Sequence, residues 1–406
     1  MSEVSSVPRP LGRVLYVQYA NPAAYPPVEH GAHLVARAGF DVRVLGLGYL
    51  DRVRFRPHPR IRVEMMRPAG GGMRGRLRYL QYMSWVAWRA LRWSPDWIYA
   101  SDPFACPAAL SASAITGARI IYHEHDSPAP ADRAGEHWFA RQVRQARARI
   151  ANRAAICILP NARRARAFAE ETGRRDPACV WNCPLADEVA ESHDAPGGGS
   201  AMRLLYHGSI VPARLPLTVI DALGHLPGDV SLSFAGYETA GHPGYIQALL
   251  RRADQQGVRD RVRYAGLIPT REELLRHGAT CDVGLALLVP TPGDLNEEAM
   301  AGASNKPFDY LACGLALVVS DLPDWREMFV TPGFGMTADP ASAESIAAVL
   351  RWLFEHPSER RAMAEHGRQK MATAWNYDTL FAPVLAAMRR PASPQSSPIS
   401  HEPARS

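Results

Sequence analysis

The sequence predicts an α/β protein built from two doubly wound parallel-sheet units, and three observations carry that reading. Short apolar runs alternate with helix-length segments in both halves of the chain. They include Val14–Val17 and Val42–Leu45 in the first half, and Leu232–Gly236, Val262–Gly266 and Asp282–Leu287 in the second. The chain has 406 residues, more than one ordinary core organises. A run that cannot hold regular structure, Ala195-Pro196-Gly197-Gly198-Gly199-Ser200, falls near the middle. The expected division is a first domain over 1–190, a linker over 191–201 and a second domain over 202–372. A closing helix over 373–390 and a disordered tail over 391–406 follow, and the first eight or nine residues also read as disordered.

In order along the first half, Val14–Val17 is a strand, Val28–Ala38 a helix ending at Gly39, and Val42–Leu45 the next strand. The loop between the first two is Asn21-Pro22-Ala23-Ala24-Tyr25-Pro26-Pro27, with no G-x-G-x-x-G, so dinucleotide binding there is disfavoured. Gly72–Arg92 reads as a helix. On a wheel Arg74, Arg78, Tyr82, Trp85, Arg89 and Arg92 share one stripe, while Leu80, Met83, Val86, Ala87, Ala90 and Leu91 lie opposite. That stripe is either a solvated face or a dock for anionic lipid. Residues 1–200 hold 27 Arg against 18 acids, and the remainder 19 basic residues against 22 acids. No nucleic-acid-binding module accompanies this charge, so nucleic acid is not expected as a partner.

The strand around Ile120–Tyr122 runs into His123-Glu124-His125-Asp126, a polar cluster emerging at a carboxyl edge. An H-x-H pair can cap a loop, ligate zinc or serve a reaction; no third metal ligand is in view. The six cysteines are scattered, and only Cys179 and Cys183 are close, so buried free thiols in a reducing cytoplasm are expected rather than a metal site. No apolar run approaches the ~18 residues that span a bilayer, and no signal-peptide core is evident.

In the second half, Thr270 and Glu273 form a capping box. The segment Ser304-Asn305-Lys306-Pro307-Phe308-Asp309-Tyr310 reads as a short helix, capped by Ser304 or Asn305 with Pro307 in its first position. Gly314 ends it, and the buried strand Leu315–Val319 follows. Its N-terminal N–H groups and Lys306 make an anion site. Lys306 is one of two lysines in the chain against 44 arginines.

Taken together with Tyr206-His207-Gly208-Ser209, Arg214, Phe234-Ala235-Gly236-Tyr237, Tyr264–Pro269 and Val319-Ser320-Asp321-Leu322-Pro323, this segment resembles the nucleotide-binding domain of GT-B glycosyltransferases. The likeness is to the retaining family 4-like group, and it covers roughly residues 202 to 335. It implies two Rossmann-like domains facing across a cleft and metal-independent, retaining sugar transfer from a nucleotide-sugar in the cytoplasm, with no further cofactor. The acceptor would be a saccharide, a lipid-linked sugar or a small molecule. It implies donor contacts from Gly208, Arg214, Gly236, Tyr237, Leu267, Ile268, Ser304, Asn305 and Lys306, with Asp309 on the ribose. His125 and Asp126 would stand at the reacting sugar, and the Pro-stiffened loop 21–27 on the acceptor side. Family members often carry a second acid eight residues before the ribose acid; here that position is Ala301. The departure keeps a non-catalytic nucleotide-sugar binder, or a partner-binding relative, open beside the transferase; a nucleotide-sugar epimerase is a further alternative. Peripheral contact with the inner face of an anionic membrane is the remaining partner expectation.

Overall fold

A computed structural model describes residues 10–48, 53–70, 72–128, 138–191 and 201–390. The expected linker, except at its two ends, lies outside the described residues, as do the expected disordered tail and the first nine positions. Seven strands form the first sheet: β1 (Arg13–Gln18), β2 (Asp41–Leu47), β3 (Ile61–Met66), β4 (Trp97–Ser101), β5 (Arg119–His123), β6 (Ile156–Leu159) and β7 (Ala178–Cys179). Their spatial order is β3-β2-β1-β4-β5-β6-β7. The second sheet has β8 (Met202–Ile210), β9 (Val230–Glu238), β10 (Val262–Tyr264), β11 (Val283–Ala286), β12 (Ala316–Ser320) and β13 (Gly335–Ala338), ordered β10-β9-β8-β11-β12-β13. Every pairing is parallel. Parallel sheets bury both faces, which is why these strands read as unbroken apolar runs. This is the GT-B architecture that the sequence predicts.

Alternate residues of β1 serve two cores. Val14 and Tyr16 pack with Val28, Ala32 and Val35 of helix Pro26–Arg37, and Leu15 and Val17 with Tyr82, Val86 and Ala90 of helix Met73–Trp93. The last helix, Tyr377–Arg389, returns to the first domain: the Tyr377 hydroxyl donates to Pro27 O at 3.2 Å. Trp181, Phe308 and Trp375 make contiguous ring contacts between the two halves.

Helix Met73–Trp93 corrects the expected wheel. Its buried residues are Tyr79, Tyr82, Val86 and Ala90, whereas Leu80 and Leu91, expected inside, are exposed. Tyr82 goes inward because its hydroxyl finds two acceptors there, Gln18 O at 2.9 Å and Leu45 O at 3.0 Å. None of the six cysteines forms a disulfide among the described residues, and Cys179, unlike the other five, is exposed. Among the described residues no helix is long and apolar enough to cross a membrane.

Candidate active site

The carboxyl ends of β8 and β9 approach so closely that only glycine fits. A Cβ on Gly236 (φ +141°) would lie 1.8 Å from Gly208 O. One on Gly208 (φ +111°) would lie 3.0 Å from Lys306 Cε and 3.1 Å from Nζ, so the missing side chain is the space the lysine occupies. Lys306 is 8 % exposed and makes no hydrogen bond or ion pair among the described residues; its Nζ stands 5.8 Å from the centre of the Tyr206 ring. Burial and then the Arg214 charge lower its pKa to about 7. Arg214, held by Ser209 Oγ at 2.9 Å, lines the same cleft of about 220 Å³. Lys306 and Arg214 thus face one cavity with no described acid bridging them, and Arg54 and Arg271 also line it. Gly208, Gly236, Tyr237, Leu267, Ile268 and Asn305 also belong to its wall.

The helix behind Lys306 is Asn305–Ala312. Ser304 is its cap by position but makes no side-chain capping bond, and neither Ser304 nor Asp309 reaches the wall. Pro307 is the third helical residue rather than the first, which costs no hydrogen bond because first-turn N–H groups lack helical partners. Asp309 is 1 % exposed. It receives Arg271 at 2.6 and 3.4 Å and Asn305 Nδ2 at 2.7 Å, with His207 Nε2 at 3.4 Å. The carboxylate expected on the ribose is therefore engaged behind the wall, and Arg271 lines the cleft in front of it. Arg271 also binds Glu188 at 2.8 Å, which in turn meets His30 at 3.0 Å. Burial alone would raise the Glu188 pKa, but Arg271 and His30 outweigh it and hold the carboxyl well below its usual range.

The first domain supplies the opposite wall through Ala23, Ala24, Pro26, Glu29, Val53 and Arg54. Arg54 N donates to Pro269 O at 2.9 Å, joining this wall to the Leu267–Ile268 loop. Glu29 is the one carboxylate among the described lining residues; Arg56 N donates to its Oε2 at 2.8 Å, and burial raises its pKa.

His125 and Asp126 are not on this wall. The His125 ring lies 5.7 Å from that of Tyr25, in the loop whose neighbours Ala24 and Pro26 line the cleft. His125 Nε2 meets Ser101 Oγ at 3.0 Å while Nδ1 has no partner. Burial, then Arg164, lowers its pKa to about 3, so the imidazole is neutral at ordinary pH. Asp102 Oδ1 accepts from His125 N at 2.8 Å and Asp126 N at 3.4 Å, fixing the turn. Asp102 itself has φ +66°, a strained backbone for a residue with a side chain. Asp126 is exposed, 3.7 Å from Arg164.

The segment around Ala301 is docked on the first domain. Asn161 Nδ2 donates to Ala299 O (2.9 Å) and Ala301 O (2.8 Å), Arg164 to Asn296 O (2.6 Å), and Asn296 exchanges two 2.8 Å bonds with the Ser127 backbone. Glu297 and Glu298 accept from Thr291 N and Gly293 N, each at 2.7 Å, within their own loop.

Glu29, Arg54, Asp102 and Arg271 were not singled out from the sequence. Arg271 directly follows the Thr270 cap, which the structure contains as expected, with Glu273 N donating to Thr270 Oγ1 at 3.2 Å. That capping signal marked only a helix start. Glu29 sits in a helix whose apolar pattern gave no reason to single out one acid.

Two family models match the chain: a glycosyl transferase 4-like domain over residues 28–183 and a glycosyl transferase-like model over 225–386. No curated protein sequence matches it. Among solved structures it is similar to Anabaena HepE in complex with UDP and glucose (TM-score 0.68, 16% identity, 93% of this chain and 99% of that one). It is also similar to sucrose-phosphate synthase from Thermosynechococcus elongatus (TM-score 0.67, 13% identity, 93% and 98%). A UDP-forming α,α-trehalose-phosphate synthase from Burkholderia vietnamiensis gives TM-score 0.63 at 13% identity, covering 93% and 99%.

Proposed function

Because this chain belongs to the GT-B glycosyltransferases, with a family 4-like domain ahead of a group 1-like domain, we propose that it moves a sugar from a nucleotide-sugar to an acceptor. Transfer proceeds with retention and without a metal. The observation that carries the donor site is the pair Lys306 and Arg214, cations facing one cleft with no described acid between them. A diphosphate fits there, and Gly208 lets it approach the backbone. The backbone of Leu267 and Ile268, which makes no backbone hydrogen bond among the described residues, meets the base edge. Glu29 takes ribose hydroxyls in place of Asp309, being the carboxylate on the wall.

As the bond from the anomeric carbon to the diphosphate breaks, charge grows on the leaving oxygens, and Lys306 and Arg214 neutralise it. The acceptor oxygen forms its bond on the same sugar face, and its proton passes to the leaving diphosphate. Neutral His125 offers Nδ1 to a sugar hydroxyl once Tyr25 yields. Since the Anabaena HepE structures are in complex with UDP or UDP-glucose, uridine sugars head the test panel. A thermal-shift screen of UDP-, GDP- and ADP-sugars tests the reading: one donor raises the melting temperature of the wild type and not of Arg214→Met. No shift with any donor counts against it.

A further inference from the structure

We propose that the outer face of helix Met73–Trp93 docks this protein on an anionic lipid bilayer. Met73, Leu77, Leu80 and Leu91 are 71, 55, 59 and 61 % exposed, and Trp88 is 44 % exposed. Their spacing of three, four, seven and eight residues puts them on one stripe along roughly 30 Å of helix. An apolar stripe of this size open to water marks a contact surface.

The helix holds five arginines and no acid. Trp88 lies between two of them, with the Arg89 and Arg92 guanidinium carbons 4.7 and 4.9 Å from its ring centre. Helix Trp138–Arg153 also holds no acid and five arginines, of which Arg147 is buried against Glu124 and Glu171 and four remain for the surface. It packs in the same helical layer, beyond the uncharged helix Cys106–Thr116.

Charge and shape together select the occupant. Arg89 is paired with Glu64, but Arg74, Arg76 and Arg92 are exposed, and a second copy would set these like charges against one another. Nucleic acid would satisfy the arginines and leave the leucines in water. A bilayer surface of anionic headgroups over acyl chains accommodates both, with the arginine stems lying along the apolar boundary.

The stripe also has a direction. Tyr79, near the start of the helix, donates to Phe104 O at 2.9 Å and meets the Tyr19 ring edge-on at 4.9 Å. Tyr19 follows β1 and Phe104 follows β4, so this end of the stripe lies at the carboxyl edge of the first sheet, where the cleft opens. If the transferase reading holds, the acceptor is then membrane-borne; the bilayer contact itself does not depend on that reading.

Vesicle co-sedimentation with the full chain tests it. Binding is expected to phosphatidylglycerol-rich vesicles at low salt, to weaken at high salt, and to be slight on phosphatidylcholine alone. Arg74→Gln with Arg92→Gln lowers partitioning by about thirtyfold. Leu77→Ser with Leu80→Ser and Leu91→Ser abolishes it, while the melting temperature and the donor-induced shift are retained. Three results overturn the proposal: no binding to anionic vesicles, binding indifferent to the leucine variant, or a wild-type dimer that the leucine variant dissolves. A wild type that binds vesicles but shows no donor shift sinks the transferase reading and leaves this surface standing.

Discussion

Replacing Lys306 by Met should make the protein more stable and its donor site weaker, through one cause. The lysine is 8 % exposed and forms no ion pair among the described residues, so the Asp309 charge only partly offsets its burial. Its fall from an ordinary 10.5 to about 7 corresponds to roughly 5 kcal/mol against the charged form. The unfolded chain keeps this proton up to its own pKa, while the folded chain releases it near 7. The penalty is therefore full below pH 7 and fades as pH rises toward 10.5. Lys306→Met removes it, so the gain in stability, up to roughly 5 kcal/mol, is largest at or below neutrality and shrinks in alkali. Binding moves the other way. A charge-assisted contact to phosphate is worth about 1.5–3 kcal/mol, so the variant binds UDP roughly ten- to a hundredfold more weakly. The diphosphate of a nucleotide-sugar does not titrate in this range. Wild-type affinity for UDP-glucose should thus be flat below pH 7 and fall by about tenfold per pH unit above it, until the bound lysine also loses its proton. Denaturant unfolding across pH and calorimetric titration read both effects. A variant of unchanged affinity and unchanged pH slope would refute the reasoning, as would one less stable than the wild type at pH 6.

His125→Ala should remove most turnover and leave UDP affinity unchanged, since the imidazole lies off the donor wall. A burial-lowered pKa near 3 also means that the wild-type rate shows no His125 inflection between pH 5 and 8; such an inflection that vanishes in His125→Ala would contradict this. Glu29→Gln should weaken UDP binding several-fold and spare inorganic pyrophosphate, because its partner is a ribose hydroxyl; equal losses for both ligands would reassign it to the diphosphate. Gly208→Ala should fold yet weaken UDP binding by an order of magnitude or more, because its Cβ meets the far end of the Lys306 side chain; full affinity would show that the lysine has room to spare.

The sheets were legible because parallel strands buried on both faces leave unbroken apolar runs, and the ends of β8 and β9 because glycine there has a steric cause. Lys306 stood out by its rarity, and its helix by the Gly314 stop. Asp309 was harder to place. Its bond to Arg271 joins residues 38 apart in sequence, which no local pattern encodes. The face of helix Met73–Trp93 was misassigned for a similar reason: Tyr82 counts as amphipathic on a wheel, and only two carbonyl acceptors inside the fold decide its side. Glu29 and Arg54 gain meaning only from the domain they face.

The most direct test is release of nucleoside diphosphate from a nucleotide-sugar, measured with the purified protein in excess EDTA. Slow release without acceptor is expected from one donor of the panel, unaffected by the chelator and absent in a folded Arg214→Met, Lys306→Met double variant. Release from none of the donors, or release that persists in the double variant, would contradict transfer at this cleft.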